Sequence, residues 1–170
     1  GFGDKSWTKR TVEQLRADVR NGARGLKIFK KLGLTYKDET GQRVHVDDSR
    51  LDSIWSTCAL LKIPVLIHSA APIAFWSPMD NKNERWLEMK THPDRIYTDT
   101  NPAPWNEIIE EQHRMFKKHP NTIFINAHFG WYANNLEELS KLMDDIPNMY
   151  VEFGAVIAEL GRQPRMASKF

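Results

Sequence analysis

Pro64–Ala70 reads PVLIHSA: an apolar run, Val65-Leu66-Ile67, that ends on His68 and opens into small residues. Thr122–Gly130, TIFINAHFG, repeats the design, with an apolar run closing on His128. A short apolar run of this kind reads as a strand buried on both faces in a parallel sheet. A polar residue at its C-terminal end is where α/β folds place their chemistry. Outward from these two, Gly25–Lys30 (GLKIFK) and Met149–Phe153 (MYVEF) read as two further strands. Helical patterns separate them. The first spans Thr11–Asn21, with Val12, Leu15 and Val19 as its stripe and Gly22 as its stop. The others are Ser49–Leu61 behind Asp47-Asp48, Trp105–Lys118, a helix from Asn134 or Asn135 to Asp145, and a tail helix from Val156. Leu32–Val46 reads as a polar excursion or small hairpin.

Strict helix–strand alternation predicts βαβ units and a parallel sheet. No GxGxxG follows a strand and no GxxxxGK[ST] occurs, which removes the dinucleotide and P-loop readings. The expected fold class is α/β, a segment of a (β/α)8 TIM-like barrel with four strands where a closed barrel has eight. Residues 1–170 are taken as one partial barrel domain. Two raw sheet edges, a start in GFGDKSW and an end at Phe170 within a helical pattern lead to the expectation of a piece of a larger chain.

Composition narrows the partners. The 170 residues are 41% apolar and 27% charged, with 24 basic against 22 acidic side chains and a net charge of +2. That is an ordinary globular composition, with no basic patch for nucleic acid and no apolar run near the roughly 18 residues of a membrane span. Gly1–Arg10 lacks the apolar core of a signal peptide. The lone cysteine, Cys58, allows no internal disulfide, fits a reducing, cytoplasmic setting and reads as core packing. A small-molecule substrate is the expected partner, with a homo-oligomer admitted.

Neutral imidazole is a common metal ligand and a common general base, so His68 and His128 at parallel strand ends form the candidate site. Asn126 lies two residues before His128, on the same face by strand alternation. Lys27 shares a face with Phe29 and is read as inward, with Lys30 at the rim. Glu152, on a face with Tyr150, is either a carboxylate behind a histidine or an outward residue paired to a helix. Trp76, Trp131 and Tyr132 follow the histidine strands and are read as pocket walls or as core. His45, His92, His113 and His119 read as solvated surface. The long stretch Ser69–Pro104, with Phe75, Trp76, Trp86 and Tyr97, reads as an ordered functional loop.

In PVLIHSA and NTIFINAHFG the chain resembles the metal-dependent hydrolases of the amidohydrolase superfamily. Within it the resemblance is to the branch that includes nonoxidative decarboxylases of the aminocarboxymuconate-semialdehyde type. GLKIFK resembles the family's fourth strand, PVLIHSA its fifth, NTIFINAHFG its sixth and MYVEFGA its seventh. The resemblance implies a distorted β/α barrel with one or two divalent metals, His68 as the fifth-strand metal ligand and His128 as the catalytic histidine. Zinc is the first expectation for the metal, with manganese or iron as alternatives. The family's first-strand His-x-His and eighth-strand Asp have no counterpart in this sequence. The implied activity is hydrolysis of a C–N or ester bond in a small organic substrate, with substrate contacts from Lys27, Trp76 and Trp131 and support from Asn126 and Glu152. Nonoxidative decarboxylation on the same scaffold is the neighbouring reading, and a noncatalytic binding or oligomerisation module is the reading from another class.

Overall fold

The computed structural model describes residues 6–98 and 101–170; the GFGDK start lies outside them. In chain order the elements are α1 Trp7–Arg20, β1 Leu26–Ile28, a broken helical turn α2 Lys31–Leu34, α3 Asp52–Leu61 and β2 Val65–Ile67. Then come α4 Trp86–Thr91, α5 Trp105–Lys118, β3 Phe124–Asn126, α6 Leu136–Asp145, β4 Met149–Val151, α7 Ile157–Gly161 and α8 Pro164–Ala167. The strands form one sheet in the order β1-β2-β3-β4, every pair parallel. Lys27, Leu66, Ile125 and Tyr150 stand level across it.

The two faces of the sheet differ. Val65, Ile67, Phe124 and Met149 point to one side and are buried with Leu15 of α1, Trp55 and Cys58 of α3, Met115 and Phe116 of α5 and Leu139 of α6. Burial of this apolar layer, worth about 25 cal/mol per Å² removed from water, is the main force that holds the helices on the sheet. On the opposite face Lys27 and Tyr150 are exposed, and Phe29 and Phe153 beyond the strand ends remain 53% and 58% exposed. Helices on one side and an open inner face on the other are the layout of a barrel segment. Cys58 is fully buried in the helix-side layer, where burial pushes its thiol up to about 12.

Local chemistry explains most boundaries. Asp48 caps the turn leading into α3 by accepting from the Arg50 N–H at 2.8 Å. Asn135 caps α6 by accepting from the Glu138 N–H. Helix α1 begins a turn earlier than Thr11 because Trp7 packs against the core; Ser6 makes no side-chain cap. The Leu32–Val46 excursion does carry a hairpin bridge, Lys37 to Arg43, but Val44 and Val46 are fully buried and pin it to the core.

The described residues of the Ser69–Pro104 stretch are held in place by its aromatics. The Trp76 indole donates to the Ala103 carbonyl at 2.8 Å and the Trp105 indole to the Ala71 carbonyl at 2.9 Å. Ala71, Phe75 and Met89 form a small core under Trp76 and Tyr97. Buried indole N–H groups need acceptors, and these carbonyls supply them while tying the ends of the loop together.

Candidate active site

The C-terminal ends of β2 and β3 bring the two histidines together. Their rings meet edge to face with centroids 4.6 Å apart. His68 follows β2 directly, and its N–H donates to the Ile28 carbonyl at 3.1 Å. Phe29 packs against it at 6.1 Å and Trp131 at 5.5 Å. Its Nε2 is buried and has no hydrogen-bond partner among the described residues. Burial first, then the positive charges of His128, Lys30 and Lys27, push the His68 imidazole down to about 3. At neutral pH it is therefore uncharged, the form a ligand requires. A buried, neutral, unpartnered ring nitrogen fits a metal ion as well as any side chain can alone.

His128 is presented differently. His128, Phe129, Gly130 and Trp131 have φ values of 58°, 55°, 57° and 66°, a run of four left-handed residues. Non-glycine residues pay roughly 1–2 kcal/mol each for this conformation, so the surroundings must impose it. The His128 N–H donates to Glu152 Oε1 at 2.8 Å, and the Phe129 N–H to the Glu152 carbonyl at 2.9 Å. Nδ1 of His128 lies 2.7 Å from the Gly154 carbonyl and 3.4 Å from Glu152 Oε1. The Trp131 indole donates to the Ser69 carbonyl at 2.9 Å, and its ring lies 4.8 Å from that of His128. Partial burial works against the charge on Glu152. The N–H groups of His128 and Gly154 and the charges of His128 and Lys27 outweigh it and hold the carboxyl below its usual range.

The structure thus gathers His68, His128, Trp131 and Glu152. Lys27 stands on the open face one residue before Ile28. Burial lowers its ammonium from the usual range, and Glu152 offsets part of the effect. Two expected residues lie apart. Asn126 does not share a face with His128: it is level with Ile67 and Val151 in the helix-side layer, 2% exposed, with its amide against Met149 Sδ at 3.9 Å. Strand alternation fails there because β3 ends at Asn126 and the left-handed turn re-aims everything after it. Asn126 instead sits under Gly130, where a Cβ would overlap its amide nitrogen. Trp76 belongs to the packing of its own loop, 4.7 Å from Tyr97.

Three other histidines depart from the solvated-surface reading. His119 pairs with Asp52 at 3.0 Å, its side chain 9% exposed. His113 stacks on Tyr132 at 6.1 Å, its buried Nε2 without a hydrogen-bond partner among the described residues, and burial, helped by Lys117, pushes it down to about 4. The α5 pattern puts His113 on the polar face; Tyr132, from the turn after His128, covers it. His45 contacts the fully buried Glu111 at 2.8 Å. Ligand-type atoms of His45, Asp47 and Glu111 all lie within 4.8 Å of one another. Both Glu111 oxygens already face Arg43, at 2.6 and 3.0 Å, and Asp47 accepts from Arg114 at 2.8 Å. That group is satisfied as a salt-bridge network, and sequence spacing gave no sign of it, since Arg43 and Glu111 come from a hairpin and a helix far apart in the chain.

A parallel βαβ sheet with paired histidines at its C-terminal strand ends defines a segment of a β/α barrel. The chain belongs to the amidohydrolase family, whose profile matches residues 2–169. An uncharacterized TIM-barrel protein from Bordetella bronchiseptica, known from its crystal structure, superposes with a TM-score of 0.50 at 18% identity. The match covers 86% of this chain and 39% of that protein, so the chain spans well under half of its structural relative. No curated protein matches the chain. Among the described residues no helix is long and apolar enough to cross a membrane.

Proposed function

We propose that this chain carries part of the active site of a metal-dependent hydrolase that cleaves a C–N or ester bond in a small organic substrate. The observation that carries the reading is the buried Nε2 of His68, without a hydrogen-bond partner among the described residues, against the ring of His128 at adjacent parallel strand ends. His68 would hold a divalent metal, zinc first, with manganese or iron as alternatives. When bound, such an ion supplies Lewis acidity toward a carbonyl and makes water more acidic. A catalytic zinc takes three protein ligands, so the remaining donors would come from other parts of the intact protein. His128 accepts and returns a proton, Trp131 and Phe29 wall the site, and Lys27 meets the substrate. A reducing, cytoplasmic setting fits the single buried thiol of Cys58.

A second reading, nonoxidative decarboxylation, is favoured by one observation. Lys27 and Lys30 both act electrostatically on His68, so the site holds positive charge suited to a substrate carboxylate. The test is elemental analysis of the full-length protein, wild type beside His68→Ala. Stoichiometric metal that falls sharply in the variant supports the reading. A wild type that holds no metal after exposure to zinc and manganese overturns it.

A further inference from the structure

The chain contains two matching tripeptides, His128-Phe129-Gly130 and Glu152-Phe153-Gly154, at the ends of neighbouring strands β3 and β4. Glu152 engages the histidine segment through three groups and its own strand end through a fourth. Its backbone N–H donates to the Asn126 carbonyl at 3.2 Å, and its carbonyl accepts from the Phe129 N–H at 2.9 Å. Oε1 accepts from the His128 N–H at 2.8 Å, and Oε2 accepts from the Gly154 N–H at 2.5 Å. Both glycines lie close to these side chains, and Gly130 also has a left-handed φ of 57°. A Cβ on Gly154 would sit 2.6 Å from Glu152 Oε2, and one on Gly130 would overlap Asn126. The folded carboxylate brings the Gly154 carbonyl to 2.7 Å from His128 Nδ1. A carbonyl can only accept, so Nδ1 must be the protonated nitrogen of the neutral ring, and Nε2 carries the lone pair.

We infer that Glu152 is a positioning residue for His128: its carboxylate holds the left-handed turn and the Gly154 carbonyl in place, and so sets the Nδ1–H tautomer that leaves Nε2 free to accept a proton. The inference rests on His128 as the proton acceptor of the proposed function, but it concerns the protein without metal and is measured there. An Ala at position 152 loses both carboxylate contacts, freeing the turn from a conformation its non-glycine residues disfavour. A Gln keeps one oxygen for the His128 N–H and preserves part of the clasp.

The test is imidazole ¹⁵N–¹H NMR on metal-free, ¹⁵N-histidine-labelled full-length protein at alkaline pH, with the His128 signals assigned by their loss in His128→Gln. The expected result is the Nδ1–H pattern in wild type, its retention in Glu152→Gln and its loss to the Nε2–H form or to an average in Glu152→Ala. Gly154→Ala, which crowds the carboxylate without removing it, is expected to move in the same direction as Glu152→Ala. An Nε2–H pattern in wild type overturns the inference, as does an unchanged Nδ1–H pattern in folded Glu152→Ala. Once a substrate is in hand, Glu152→Ala is expected to lose on the order of 10²-fold in kcat with KM little changed, the scale of a misplaced general base. If the metal analysis fails while the tautomer pattern holds, the hydrolase reading falls and the clasp stands.

Discussion

Replacing Arg43 with Met isolates one of the costliest electrostatic contacts in the molecule. The Glu111 side chain is completely buried, and the 11%-exposed Arg43 grips it with two nitrogens, Nη2 to Oε1 at 2.6 Å and Nη1 to Oε2 at 3.0 Å. The same guanidinium reaches the Gly33 carbonyl and Glu107, tying the hairpin after β1 to α5. Methionine fills much of the volume but leaves Glu111 with His45 alone, and His45 is 45% exposed. Breaking a buried ion pair from one side costs about 3–5 kcal/mol, because the remaining charge stays desolvated. For a chain of this size each kcal/mol moves Tm by about 2–4 °C, so the expected fall is roughly 6–20 °C. Thermal unfolding followed by tryptophan fluorescence measures the fall in Tm and urea unfolding the free-energy loss, with Arg43→Met/Glu111→Gln as the companion. Removing both charges is expected to recover most of the loss, since a buried pair is worth little against neutral groups that pack well. A single variant within about 1 kcal/mol of wild type, or a double variant no better than the single, refutes the reasoning.

Two further outcomes follow from buried polar groups elsewhere. Asn148→Ala removes an amide that donates to the carbonyls of Phe116, His119 and Thr122 at 3.1, 3.0 and 2.9 Å, the cap that closes α5 and leads into β3; a loss of about 2–3 kcal/mol in urea unfolding is expected, with faster amide exchange in the last turn of α5. The folded pKa of His113, about 4, lies below its ordinary 6.5, so the unfolded chain takes the proton first as the pH falls. Its contribution is complete above pH 6.5 and is lost progressively down to pH 4, up to about 3 kcal/mol. His113→Leu is expected to flatten that part of the stability–pH profile, which urea midpoints at a series of pH values will show.

Much of the architecture is legible in linear patterns. Two apolar runs, Val65-Leu66-Ile67 and Ile123–Ile125, and two alternating ones, GLKIFK and MYVEF, became four parallel strands, with helices on one face only and Lys27 and Tyr150 on the open face. The alternation with helices required crossovers and hence a parallel sheet. Trp105–Lys118 begins and ends where its periodicity and the turn at His119-Pro120 place it. His68 and His128 were visible as candidates because each is a polar residue at the end of such a run. Glu152 was half legible: its place at the end of a strand run was clear, but its partner was not.

What the sequence alone determined is therefore what depends on neighbours along the chain: strand and helix type, the parallel order, and which residues stand at the strand ends. What only the tertiary structure decided depends on groups brought together from distant segments. Asn126 and His128 parted because the turn between them is left-handed, a conformation that no local preference selects and that Glu152 imposes from the next strand. Glu111 became buried and His113 half-buried because Arg43 and Tyr132 arrive from other elements to cover them. Periodicity records which side of an element is apolar. It carries no information on which polar group will meet which, because that is fixed by packing distances between segments and by the cost of leaving a buried donor, acceptor or charge without its partner.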